Sequence, residues 1–148
     1  MTFLDTNIAV YAVDSHDPQK HDIAAELIDA AVGGEGFRIS AQVLSEFANI
    51  CHKKLGCTPQ EVLKLLDGLR CIETVDQTPQ IVARAVEVRA LYGISLQGAM
   101  IVAAAEKSGC DELLSEDLND GQSYAGVRVR NPFKDKETRT KMALPTGS

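Results

Sequence analysis

Three short segments of this 148-residue chain set acidic side chains beside apolar runs. They are "FLDTN" with Asp5, "SAQVLSEFANI" with Glu46, and "LLSEDLNDG" with Glu116 and Asp117. Taken singly, each acid has an ordinary explanation. Asp5 can simply cap the helix that follows it. Glu46 lies beside an apolar stripe of Val43, Leu44, Phe47 and Ile50 at helical spacing, where a boundary glutamate usually faces solvent. Glu116 and Asp117 fit a polar loop whose Asn119, Asp120 and Gly121 are turn residues. Taken together they are more specific, because two of the three segments are the ends of separate strands and one is a helix flanking the sheet. Carboxylates gathered in one place repel unless a cation lies between them. An oxygen-only site of that kind suits Mg²⁺ or Mn²⁺. The chemistry it fits is metal-assisted hydrolysis of a phosphodiester, in which metal ions bind phosphoryl oxygens, generate hydroxide from water and stabilise the departing oxygen.

Other phosphate chemistries fail on residues. No G-x-x-x-x-G-K-[ST] loop and no G-x-G-x-x-G is present. "DTN" lacks the second aspartate of a D-x-D phosphatase nucleophile. A phosphoacceptor receiver domain would want paired acids after its first strand and a lysine after a late one, and no such lysine is found.

The elements that must position these acids can be read from caps and periodicity. "TFLD" from Thr2, "FRIS" from Phe37, "CIETV" from Cys71, "DELLS" from Asp111 and "GVRVRN" from Gly126 read as short strands. Between them lie helical patterns with marked starts: Asp17-Pro18, Thr58-Pro59 with Glu61 completing a capping box, Thr78-Pro79, and Ser95. "NIAVYAVDS" is a further short helix and "AQVLSEFANICHKKLG" a helix closed by Gly56. Strands separated by helices imply crossover connections and a mostly parallel sheet covered on both faces, a three-layer α/β/α sandwich. In such sheets the site lies at the carboxyl ends of the central strands, where strand order reverses. Adjacency of the first and the "DELLS" strands would bring Asp5 and Asp117 together. One domain over residues 1–133 is expected, with 134–148 as a loose tail that has no apolar period.

Composition sets outer limits. Hydrophobic residues make up 45% and charged residues 24%, ordinary for a globular protein. No apolar run is long enough to span a bilayer, and no basic segment precedes an apolar signal region, so no membrane association and a cytoplasmic location are expected. The four cysteines form no C-x-x-C pair and are expected to be structural thiols; the three histidines show no metal-ligand spacing and are expected on the solvated surface. A net charge of −6 argues against a nonspecific nucleic-acid binder. It does not exclude an enzyme acting on nucleic acid, because bound metal reverses the local sign.

"FLDTNIAVYA", "SAQVLSEFANI", "YGISLQGAMIVAAAEKSGCDELLSEDLNDGQ" and "GVRVRNPF", in this order, closely resemble the PIN-domain nucleases, above all the single-domain VapC-type toxins of bacterial toxin–antitoxin modules. The resemblance runs from Thr2 to about Phe133. It implies a PIN-like α/β/α sandwich and a Mg²⁺- or Mn²⁺-dependent endoribonuclease. It also implies a homodimer, inhibited by a small antitoxin that often inserts a basic side chain into the acidic site. Carried across by position, it implies Asp5, Glu46 and Asp117 as catalytic and metal-binding acids and Glu116 as an auxiliary metal ligand. Thr6 and Ser115 would orient a water or a carboxylate, and Asn7 would stabilise the loop.

One position departs from the family pattern. The segment after "YGIS" typically reads S-x-x-D-A, whereas here it is "SLQGA", with Gly98 in place of the aspartate. Ser95 is the natural N-cap, and the third position beyond it usually favours an acid, both for the capping box and for the helix dipole. Glycine there costs about 1 kcal/mol relative to alanine. Gln97 points about 100° away and Glu106 lies about two turns on, so neither substitutes. A natural variant of weak activity, an inactive nuclease kept for binding, and a deliberate or selected replacement all account for Gly98. The expectation is lost or reduced catalysis on an intact scaffold. The alternative function is a module that binds RNA or antitoxin without turnover, its acidic cleft framed by some of Arg38, Lys53, Lys54, Arg84, Arg89, Arg128 and Arg130. For most of these a solvated rim position is the ordinary reading.

Overall fold

A computed structural model describes residues 1–134 of the chain. The sheet begins with β1 (Thr2–Leu4), and α1 (Thr6–Val13) and α2 (Pro18–Gly33) lead to β2 (Phe37–Ser40). Next come α3 (Ala41–Lys53), α4 (Pro59–Leu69) and β3 (Glu73–Val75). Then α5 (Pro79–Tyr92) and α6 (Leu96–Lys107) precede β4 (Glu112–Leu114), β5 (Ser123–Tyr124) and β6 (Val127–Arg130). The strand order is β3-β2-β1-β4-β6-β5, parallel throughout except for the antiparallel β5–β6 pair. Six helices flank this sheet in an α/β/α sandwich. Chain order reverses between β1 and β4, which are direct neighbours in register Leu4↔Leu114.

Local chemistry explains the helix starts. Asp17, Ser40, Thr58, Thr78 and Ser95 each accept a backbone N–H of the first turn through the side chain, with proline at the first position of α2, α4 and α5. Thr58 and Glu61 form the reciprocal capping box. Gly93, left-handed at φ 66°, closes α5 by returning its N–H to Arg89 O. The central strands are apolar on both faces: Phe3, Leu4, Leu113 and Leu114 are all essentially inaccessible, as a covered parallel strand requires. Helix α6 buries Ala99 and the unbroken run Ile101–Ala105, so small alanines let it sit deep between the sheet and α5.

Two sheet features differ from the sequence reading. The third strand starts at Glu73, because Cys71 and Ile72 complete the turn that follows α4. β5 was not expected, since two residues show no alternation. Its hairpin turns on Ala125 and Gly126, both at positive φ (51° and 83°), and the Ala125 N–H is held by Tyr92 Oη at 2.9 Å. Alanine there lacks the Asn-Gly signature of such turns. His21 also differs: it is half-buried, its Nδ1 is 2.9 Å from Tyr11 O, and only His16 and His52 are exposed. All four cysteines are free. Among the described residues no single helix is long and apolar enough to cross a membrane. The tail expected over residues 134–148 lies, beyond Lys134, outside the described residues.

Leu113, fully buried on β4, tests how far the core tolerates loss of volume. Leu113→Ala is expected to destabilise the fold by about 2–5 kcal/mol, measured by urea denaturation.

Candidate active site

Asp5 sits just beyond β1 and caps α1, its Oδ1 accepting from Thr6 N at 2.7 Å. Its backbone N–H donates to Leu114 O across the sheet at 3.1 Å, which locks the strand end to β4. Ser115, one residue past β4 and completely buried, donates to Asp5 Oδ2 at 2.7 Å and accepts from Asp117 N at 3.1 Å. Parallel pairing of β1 with β4 therefore carries both aspartates to one edge of the sheet. Glu46 comes from the second turn of α3, and its Oε1 accepts from Thr6 Oγ1 at 2.7 Å. Asn7 Nδ2 donates to Asp117 Oδ2 at 3.1 Å, while Asn7 Oδ1 is buried with no partner.

These acids line one cleft with two lobes. The larger, about 350 Å³, has walls from Asp5, Thr6, Tyr11, Asp14, Ile50, Lys54 and Glu116. The smaller, about 140 Å³, adds Ser95, Gln97, Gly98 and Leu118. Asp5, Glu46 and Asp117 belong to both and so stand at their junction. Gly98 faces the smaller lobe from the first turn of α6, with its N–H donated to Ser95 Oγ at 3.0 Å. A Cβ added there would meet Ser95 Oγ at 3.2 Å and Leu118 Cδ2 at 3.5 Å, and its φ is not left-handed. Neither backbone conformation nor a close backbone neighbour therefore demands glycine. Glu106 is occupied elsewhere, paired with Arg84 at 2.8 Å.

Glu116 lies on the rim of the larger lobe and has its own partners. Tyr11 Oη donates to it at 2.7 Å and Lys20 Nζ pairs with it at 2.9 Å. Lys20 also stands 5.0 Å over the Tyr11 ring and 5.6 Å over Phe133. This hydrogen-bonded pairing with Glu116 raises the Lys20 pKa. Sequence reading missed Tyr11 and Lys20, and it missed Gln42. Gln42 Nε2 donates to Gln97 O at 3.1 Å and lies 3.5 Å from Glu46 Oε2, tying α3 to the start of α6. Its placement four residues before Glu46 was the available signal, since i and i+4 share a helix face.

Burial pushes the Asp5 carboxyl up to about 6, against the hydrogen bonds from Ser115 and Thr6, and the nearby charges of Asp117 and Glu46 push it further the same way. The donor set at the junction is all oxygen and suits a hard divalent cation. Each carboxylate oxygen keeps a spare lone pair beyond its present hydrogen bond. As they stand, however, no three Asp, Glu, His or Cys side chains among the described residues group closely enough to hold an ion.

The sequence matches the PIN domain family over residues 2–120. No curated protein matches the chain. Among solved structures, a toxin–antitoxin complex from Klebsiella pneumoniae is similar at TM-score 0.66 and 21% identity, over 89% of this chain and 98% of that one. Mycobacterium tuberculosis VapC20, a toxin that cleaves the sarcin–ricin loop, is similar at TM-score 0.63 and 17% identity, over 86% and 99%. VapBC2 from Rickettsia felis, bound to a fragment of its promoter DNA, is similar at TM-score 0.62 and 20% identity, over 88% and 97%.

The raised Asp5 pKa has a definite sign in stability. Between about pH 4 and 6 the folded chain keeps a proton that the unfolded chain has released, so this group's contribution to stability falls as pH rises through that window. With metal chelated, Asp5→Asn should gain stability over the parent as pH goes from 4 to 7, by an amount on the order of 2–3 kcal/mol. Urea denaturation of both proteins across that range checks it; a pH-independent difference would contradict the assignment.

Proposed function

The chain belongs to the PIN-domain family, and from that premise we propose that it is a divalent-metal-dependent endoribonuclease of VapC type, the toxin half of a toxin–antitoxin pair. We further propose that its catalysis is weakened by Gly98. The observation that carries this reading is the convergence of Asp5, Glu46 and Asp117 on one cleft where β1 and β4 end. The similar folds of VapC20, a sarcin–ricin-loop-cleaving toxin, and of two toxin–antitoxin complexes support the class. They also support a protein antitoxin as partner. An apolar hollow of about 540 Å³ lined by Ala9, Ala12, Ile28, Val32, Leu65 and Leu69 suits apolar side chains of such a partner. A homodimer and a catalytic unit spanning residues 1–133 belong to the same proposal.

Asp5, Glu46 and Asp117 would hold Mg²⁺ or Mn²⁺. When bound, the ion supplies charge neutralisation at the phosphate and a more acidic water. The chain's own residues set the geometry. Ser115 fixes the Asp5 carboxylate and the Asp117 backbone with one hydroxyl, and Thr6 fixes Glu46. Asn7 fixes Asp117 and offers its unpartnered buried Oδ1 beside it. In the reaction a water oxygen adds to phosphorus, the bond to one bridging oxygen breaks, and a proton ends on the departing oxygen. Glu116, paired with Lys20 on the rim, would serve at most as an auxiliary ligand beside these three.

A second reading, a module that binds without turnover, is favoured by Gly98 and by the lack, among the described residues, of a tight three-acid group. Asp5→Ala separates the two: an enzyme loses cleavage, whereas a pure binder keeps its RNA affinity or gains some as repulsion falls.

Gly98→Asp is expected to raise Mg²⁺ affinity and the cleavage rate together by about tenfold or more, equivalent to about 1.4 kcal/mol or more. The added Cβ needs Ser95 Oγ, 3.2 Å away, to give by a few tenths of an ångström. Mg²⁺ titration and single-turnover cleavage of a structured RNA test this. If the unmodified chain already cleaves at full rate with tight metal binding, the role given to Gly98 is wrong.

A further inference from the structure

The cleft is acidic, the substrate of the proposed activity is a polyanion, and the structure sorts the basic residues that could frame it. Arg38 is paired with Glu73 at 2.8 Å, Arg84 with Glu106 and Glu87, and Arg130 with Glu112 at 3.1 Å. Lys20 is spent on Glu116. Among the described residues, Lys54 is the only cation lining either lobe, and it is exposed and makes no ion pair there. It caps the C-terminal end of α3, with its N–H on Ile50 O at 2.8 Å. Glu46 stands eight residues earlier in the same helix, about 12 Å of axial rise away. One rigid element therefore fixes the spacing between the backbone positions of an acid of the junction and of an exposed lysine that lines the larger lobe.

We propose that Lys54 is a substrate-binding residue, and that it contacts a backbone phosphate flanking the one at the acids. This rests on the ribonuclease reading. The strand then lies through the larger lobe, past Tyr11, with its next phosphate on Lys54. Metal at the junction can neutralise only the phosphate it touches, so a flanking phosphate beside Asp14 and Glu46 needs its own cation. An ammonium suits this role, being a point charge on a flexible stem that grips phosphate without reading the base. Lys54 also lies where a cation favours a helix C-terminus. That is a purely structural role, and it would change thermal stability without changing how RNA binding responds to salt.

The test measures binding of a labelled single-stranded oligoribonucleotide to the full chain in Mg²⁺ over a series of NaCl concentrations. Lys54→Gln is expected to weaken binding several-fold at low salt and to flatten the log–log salt slope by roughly 0.7, the loss of one phosphate contact on a single strand. Lys54→Arg should restore the slope, and Mg²⁺ affinity should be the same in all three proteins. An unchanged slope in Lys54→Gln, with or without a change in affinity, overturns this proposal alone. If the unmodified chain binds no RNA, the ribonuclease reading falls and this proposal with it.

Discussion

Ser115 Oγ, completely buried at the end of β4, makes two hydrogen bonds of opposite sense. Its proton goes to Asp5 Oδ2 and its lone pair takes the Asp117 N–H, so one hydroxyl fixes both strand-end aspartates. A hydroxyl has one donor and two acceptor positions, and no apolar side chain of that size has either. The arrangement requires β1 and β4 to be parallel neighbours in register Leu4↔Leu114, with Asp5 N returning to Leu114 O. The rest of the sheet secures that register. β2 and β6 cover the outer edges of the central pair, and α6 packs deep against the strands with its alanine-rich surface.

Glu46, Asp117 and Asp5 are held by neutral donors: Thr6, Asn7, Ser115 and a backbone N–H. Only Glu116 is answered by a cation. The junction thus holds its carboxylates without a paired cation while the rim is neutralised, and Asp5, through its burial first and the charges of Asp117 and Glu46 second, holds its proton more tightly than a free carboxyl would. Such a cleft is electrostatically strained until something positive enters it. An aspartate at position 98 would deepen that strain in the absence of metal while improving the helix dipole and the ligand set.

The fold was legible because its signals are local. Asp17-Pro18, Thr58-Pro59-Glu61 and Thr78-Pro79 act within four residues, and each marks a helix start in the structure. Where the signal is not local, the reading failed. β5 pairs with β6 through a turn whose Ala125 N–H is held by Tyr92, 33 residues away, and two residues of sequence cannot announce that. His21 is drawn half inside by the Tyr11 carbonyl, which only the packing of α1 on α2 supplies.

By itself the sequence determined which acids follow which strands and that position 98 lacks one, since residue type and order need no partner. Tertiary structure decided what those acids touch. Ser115 and Asp5 are 110 residues apart, as are Asn7 and Asp117, and Tyr11 and Glu116 are 105 apart. Only the sheet order that sets β4 beside β1 closes those distances. It also decided which basic residues are consumed in ion pairs and which one is left facing the cleft, because a lysine or arginine finds its partner through space and not along the chain.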